Sequence, residues 1–97
     1  MAENDIQDTL NEREGTHGRF SENTITMQAL KREMRNTPNW QRMDPYQREA
    51  LDMIAHKIGR LLHGDPDLID SWHDISGYAT LVVMELTPSC GPQKETK

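Results

Sequence analysis

The sequence predicts an all-α protein: a small bundle of three main helices, over about residues 21–36, 45–63 and 69–86, preceded by a short N-terminal helix. Three observations carry that prediction. Apolar residues recur at steps of three and four, first as Leu51, Ile54, Ile58 and Leu61, then as Trp72, Ile75, Ala79, Val82 and Leu86. That spacing puts each set on one face of a helix. Start and stop signals bracket the same stretches, and no run alternates as a strand does, since Val82-Val83 falls inside a helical period.

Taken in order, Asp5–Arg13 predicts a short, mostly polar helix with Ile6 and Leu10 four apart. In Glu12-Arg-Glu-Gly-Thr-His-Gly18 two glycines bracket Thr16 and His17, which predicts a turn or irregular loop. Such a loop is either solvated or folds over a ligand held by the later helices. Ser21 is placed as an N-cap. Phe20, just before it, then Met27, Leu30 and Met34 form a narrow seam that includes Asn23. The helix should stop near Asn36, because Pro38 disfavours a helical Thr37. Residues 39–43 then make a linker whose Trp40 covers the end of the bundle.

Asp44-Pro-Tyr-Gln47 is the clearest start signal, with Asp44 as N-cap, Pro45 at the first helical position and Gln47 completing a capping box. The helix runs to about His63, and Gly64 is suited to end it in the left-handed conformation. The last helix starts between Asp67 and Asp70, where carboxylates suit the positive end of its dipole. Its C-terminal half, Ala79–Leu86, is apolar nearly all round, with Leu81 and Met84 turned away from the Trp72 seam. A helix apolar on all sides is buried on more than one, so a homo-oligomer formed through Ala79–Leu86 is expected. Residues 1–88 read as one domain and 89–97 as a disordered, polar tail.

Composition bounds the classes. With 97 residues, 34% of them hydrophobic and 5% aromatic, one chain buries only a modest core, which again favours self-association. A single cysteine, Cys90, excludes an intrachain disulfide framework and any multi-cysteine zinc site, and suits a reducing cytoplasm. No run approaches the roughly 18 apolar residues of a membrane span. The N-terminus lacks the basic and apolar regions of a signal peptide. A net charge of −5 argues against broad attraction to nucleic acid.

Chemistry concentrates on the polar faces of the last two helices. Glu49, Asp52, His56, Gly59 and His63 form one stripe, and Asp70, His73, Asp74 and Gly77 gather on the next helix. Hard cations such as Mg²⁺ take oxygen ligands, commonly one or two carboxylates plus substrate phosphates. If the helices cross on these faces, Glu49, Asp52, Asp70 and Asp74 are the candidate Mg²⁺ ligands. His17, His56, Lys57, Arg60 and His73 are then candidates for phosphate or ligand binding. The competing reading is the solvated face of two amphipathic helices. Mid-helix glycine weighs against it, since Gly59 and Gly77 each cost about 1 kcal/mol relative to alanine and leave room for a close helix or a ligand. A zinc site from His17, His56, His63 and His73 fits no standard ligand spacing. Ser76 and Cys90 have no evident base beside them.

These stretches carry a resemblance. Glu12–Gly18, then Ala50-Leu-Asp-Met-Ile-Ala-His-Lys-Ile-Gly-Arg-Leu62, then Asp70-Ser-Trp-His-Asp-Ile-Ser-Gly-Tyr-Ala79 resemble a family of small phage and prophage proteins of unknown function. More distantly they are similar to nucleotide-modification-associated proteins and to MazG-like all-α nucleoside triphosphate pyrophosphohydrolases. The latter resemblance implies an oligomer in the host cytoplasm that binds Mg²⁺ and cleaves nucleotides between the α and β phosphates. That family uses Glu-x-x-Glu and Glu-x-x-Asp on successive helices. Glu49 and Asp52 approach the first pair, whereas Asp70 and Asp74 approach the second at a spacing of four instead of three. The departure keeps a second expectation open: a non-enzymatic, phage-encoded protein that binds and inhibits a host defence or transcription factor. Its docking face would be the acidic one of Glu3, Asp5, Asp8, Glu12 and Glu14.

Overall fold

The computed structural model describes residues 2–88, with side chains from Asp5 onward; the tail expected to be disordered, 89–97, lies outside the described residues. Four helices follow one another: α1 (Ala2–His17), α2 (Phe20–Arg35), α3 (Pro45–His63) and α4 (Ile69–Leu86), with one turn of 3₁₀ helix at Trp40–Arg42. No strand occurs among the described residues. The other three helices all pack on α3.

The start of α3 is held as the sequence predicts. Pro45 occupies its first turn, and the Asp44 backbone N–H donates to Gln47 Oε1 at 2.9 Å. Its two stripes then face different neighbours. Leu51 and Ile54 meet Ala79 and Val82 of α4 around a shallow apolar groove. The polar stripe meets α2 instead. Arg35 Nη2 donates to Asp52 Oδ2 at 3.0 Å, and Thr26 Oγ1 and His63 Nε2 share a hydrogen bond of 2.6 Å. Between them, a Cβ on Gly59 would come within 2.8 Å of Met27 Cγ. That glycine is therefore explained by helix approach.

Trp40 closes the bundle's end, as expected. It is buried, with the Arg35 guanidinium 4.8 Å above its ring, while Arg48 Nε donates to its carbonyl at 2.9 Å. The remaining core is thin. Met27, Ala50, Ala55 and Leu61 complete the buried apolar set, and no large side chain among the described residues is fully enclosed. A radius of gyration of 16.7 Å exceeds the roughly 12.5 Å of a compact domain this long. The lone chain is open.

Several expectations need correction. The N-terminal helix is as long as α2 and runs through the stretch read as a loop. Glu12, Arg13 and Glu14 are good helix formers. The helix continues past Gly15 until Gly18, whose N–H still donates to Glu14 O at 2.9 Å. Ser21 does not cap α2, which starts one residue earlier with Arg19 at the cap position. Phe20 stands at the mouth of the α1–α2 turn and is 77% exposed, so it leaves the Met27 seam. Trp72 is 55% exposed, anchored only by its Nε1–H donating to Pro66 O at 2.7 Å. The left-handed glycine is Gly18, at φ +83°, and not Gly64, at φ −116°.

Gly64 has a different reason to be glycine. A Cβ there would run into Thr16 O and lie 2.7 Å from Gly18 N. Reciprocally, a Cβ on Gly18 would lie 2.6 Å from the His63 carbonyl carbon. The α1–α2 turn and the C-terminus of α3 touch backbone to backbone, and Asp65 N–H donates to Thr16 O at 2.9 Å across the contact. Gly18→Ala adds left-handed strain of about 1–2 kcal/mol to that clash. Chemical denaturation should therefore show Gly18→Ala and Gly64→Ala each losing about 2 kcal/mol or more. Gly15→Ala, which meets nothing within 4 Å, should gain up to about 1 kcal/mol. Equal behaviour of the three variants would refute the contact.

Candidate functional site

The contact between the turn and α3 shapes a cleft. One wall is the second half of α1, the floor is Asn23 and Met27 of α2, and the far wall is His56 and Arg60 of α3. The space measures about 510 Å³. Four basic or imidazole side chains converge on it, Arg13 and His17 from α1 and His56 and Arg60 from α3, together with one carboxylate, Glu14. Among the described residues neither guanidinium has an ion-pair partner.

The residues converge for local reasons. Arg13 and His17 lie one turn apart on α1, and His56 and Arg60 one turn apart on α3, so each pair shares a face. The glycine contact brings the end of α1 beside the last turns of α3. Asn23, 4% exposed, fixes the turn from below, its Nδ2 donating to His17 O at 2.6 Å. Its Oδ1 is buried and accepts no hydrogen bond among the described residues. A buried carbonyl without a donor is costly.

Electrostatics follow from this crowding. Burial is the main cause holding the His17 imidazole below its ordinary range, helped by Arg60, Lys57 and Arg13 and opposed by Asp70. For His56 burial again leads, followed by Arg60, Lys31, Lys57 and His17. Both rings sit in a positive field and favour the neutral form. Guanidinium forks of the kind Arg13 and Arg60 carry match the oxygens of carboxylate and phosphate groups.

Of the residues expected to bind ligand, His17, His56 and Arg60 line the cleft, and Lys57 stands close enough to act on both imidazoles. His73 is exposed on α4 outside the lining. The four carboxylates are distributed. Asp74 accepts from Lys57 Nζ at 2.9 Å, and that hydrogen bond is the main cause lowering its carboxyl below the usual range. Asp52 is held by Arg35 on the α2 side, and Glu49 is exposed. Asp70, also exposed, is the one of the four whose charge opposes the cations at His17. Among the described residues, no three His, Cys, Asp or Glu side chains are grouped to hold a metal ion. His63 is engaged by Thr26.

Arg13 and Asn23 are the residues that sequence reasoning did not assign to a site. Arg13 was legible in principle, four residues before His17, but only once α1 is known to continue through Gly15. Asn23 carried a weaker signal, as the one amide in an apolar seam. The acidic residues Asp5, Asp8 and Glu12 are exposed on α1, and Glu14 pairs loosely with Arg19 at 3.6 Å. The side chain of Glu3 lies outside the described residues.

Comparison with protein-family models, with curated proteins and with solved structures finds no match to this chain. The reading of the cleft rests on its own geometry.

Because the folded pKa of His17 and of His56 lies below the ordinary 6.5, the unfolded chain binds more protons as acidity rises. Stability is then full above about pH 6.5 and declines as pH falls below it, ahead of any carboxylate titration. Urea midpoints measured from about pH 7 down to about pH 5.5 should fall for the wild type. They should fall less for the His17→Gln, His56→Gln double variant. Identical slopes would show that these rings are not the titrating groups.

Proposed function

We propose that this chain is a helical protein that binds a phosphate-bearing ligand of nucleotide type in the α1–α2–α3 cleft, and that it works as a homo-oligomer. The observation carrying the first part is the convergence of Arg13, His17, His56 and Arg60 on one cleft, with both arginines free of ion pairs among the described residues. The size of about 510 Å³ lies in the range of small-molecule sites. Apolar lining from Leu10, Phe20 and Met27 offers a surface for a base or sugar, while the guanidinium groups take phosphate oxygens. The orphan Oδ1 of Asn23 supplies an acceptor at the floor for an N–H or O–H of the ligand. The resemblance drawn through Glu12–Gly18 and Ala50–Leu62 supports the same class. In a hydrolytic version of this function, the neutral imidazoles of His17 and His56 would be the candidate bases for a water molecule.

A thermal-shift panel of nucleosides, nucleoside mono-, di- and triphosphates and pyrophosphate tests this. Phosphorylated members should raise Tm and nucleosides should not; at a hundredfold excess over Kd the stabilisation is about 2.7 kcal/mol. Arg13→Gln and Arg60→Gln should each reduce the shift. Release of pyrophosphate or phosphate in the same mixtures separates hydrolysis from binding. No shift with any member overturns the proposal and leaves docking through the acidic face of α1 as the stronger reading.

The oligomeric part rests on α4. Leu81, Val83 and Leu86 are each more than half exposed, as are Ile69 and Trp72 nearer its start, and a Cβ on Gly77 would meet nothing within 4 Å. Burying a leucine or valine side chain contributes about 1.5–3 kcal/mol, and the thin core of one chain leaves that contribution unused. A second copy packed along Ala79–Leu86 would use it, and Gly77 would admit the close approach. Light scattering at micromolar concentration should give a multiple of 11.2 kDa, and a Leu81→Asp, Val83→Asp variant should revert to a single chain. A wild-type mass of one chain would overturn this part.

A further inference from the structure

We infer that this cleft holds phosphate through fixed side-chain cations and not through a divalent metal, with Arg13 and Arg60 as the two clamps and Lys57, anchored on Asp74, as the supporting charge. This deepens the proposed phosphate-ligand reading and rests on it. The inference starts from which charges are already committed. Of the four carboxylates best placed in sequence to bind Mg²⁺, Asp74 accepts from Lys57 at 2.9 Å and Asp52 from Arg35 at 3.0 Å. A metal at either would have to share the carboxylate with an ammonium or guanidinium already bonded to one of its oxygens.

Lys57 is the more buried partner of its pair, its side chain 12% exposed against 45% for Asp74. The ammonium is therefore held in place by the fold, and the carboxylate acts as its tether. One turn on, Arg60 opens into the cleft opposite Arg13. Arg13 and Arg60 can approach one phosphate, or two linked phosphates, from opposite walls. Mg²⁺ bound with a nucleotide usually bridges phosphate oxygens and neutralises their charge. Here that neutralisation is available from groups built into α1 and α3. Arg13, His17, His56 and Arg60 outnumber Glu14 in the lining, which disfavours a free divalent ion there.

Calorimetric titration of the full chain with inorganic pyrophosphate, in excess EDTA and again in excess MgCl₂, tests the inference. Pyrophosphate should bind in EDTA at least as tightly as with Mg²⁺, since the magnesium complex presents fewer free oxygens. Arg13→Gln and Arg60→Gln should each weaken binding about tenfold or more in EDTA, the scale of a lost charge-assisted hydrogen bond. Arg60→Lys should recover part of that loss, which a merely structural role would not predict. Glu49→Gln and Asp70→Asn should bind no more weakly than wild type. Binding that appears only with Mg²⁺ and disappears in Glu49→Gln or Asp70→Asn overturns the inference while the phosphate-ligand reading stands. Absence of binding in both buffers overturns the reading itself and the inference with it.

Discussion

The backbone contact between the Gly18 turn and Gly64 is the constraint on which the rest of the molecule depends. It is the point where α1, α2 and α3 meet, and neither glycine leaves room for a side chain. Two consequences follow from one contact. The Asp65 N–H, just past the end of α3, donates to Thr16 O, one of the carbonyls that the C-terminus of α1 would otherwise leave open. His17 is also delivered beside the last turns of α3, where His56 and Arg60 project. α1 touches the bundle little elsewhere, with Ile6 and Leu10 both more than half exposed. The geometry of the cleft therefore depends on how α1 docks at this junction.

Charge in this protein is sorted more sharply than its net value of −5 suggests. The acidic residues Asp5, Asp8 and Glu12 are exposed to solvent. Two of those on the inner elements are tied to cations, Asp52 to Arg35 and Asp74 to Lys57. The lining of the cleft carries Arg13, His17, His56 and Arg60 against the single carboxylate Glu14. An acidic chain can hold such a local excess of cations because screening limits surface charge to about 8–10 Å at physiological salt, whereas groups inside a part-buried cleft act on one another directly. Burial first, and then the two arginines and two lysines nearby, hold the His17 and His56 imidazoles below their ordinary range.

How far this was legible in the sequence differs by element. α3 and α4 could be read almost to the residue, because each carries a sustained apolar period, and Asp44-Pro45 and Gly64 mark the ends of α3. Trp40 was also placed correctly, since an aromatic in a short linker has few places to go. α1 was misjudged because Gly15 and Gly18 look alike in sequence and only one of them breaks the helix. Deciding which one requires the tertiary contact with Gly64, which local spacing does not encode. The candidate site suffered from a related ambiguity. Spacing shows that Asp52, His56 and Gly59 share a face, but not that the face turns toward α2. His17, His56 and Arg60, singled out by residue type and stripe, line a cleft among α1, α2 and α3, an arrangement that spacing within one helix does not encode.

The unusual share of apolar surface on α4 closes the physical account. Its inward side, with Ser71 buried and Ala79 and Val82 against α3, is made of small or branched residues that let the two helices lie close. Its exposed side carries Trp72 and Val83 on one flank and Leu81 one turn from Gly77 on the other, and Gly77 has open space before it. A helix interior glycine without a neighbour costs about 1 kcal/mol and returns nothing within one chain. Gly59, by contrast, is matched to Met27 in the same chain. The two glycines therefore distinguish an internal packing position from a position that awaits one. No residue of α4 lines the cleft, so an assembly through Ala79–Leu86 would leave the cations of α1 and α3 accessible. Packing against a second copy would also steady α3, the helix that carries His56, Lys57 and Arg60 and on which the other three helices rest.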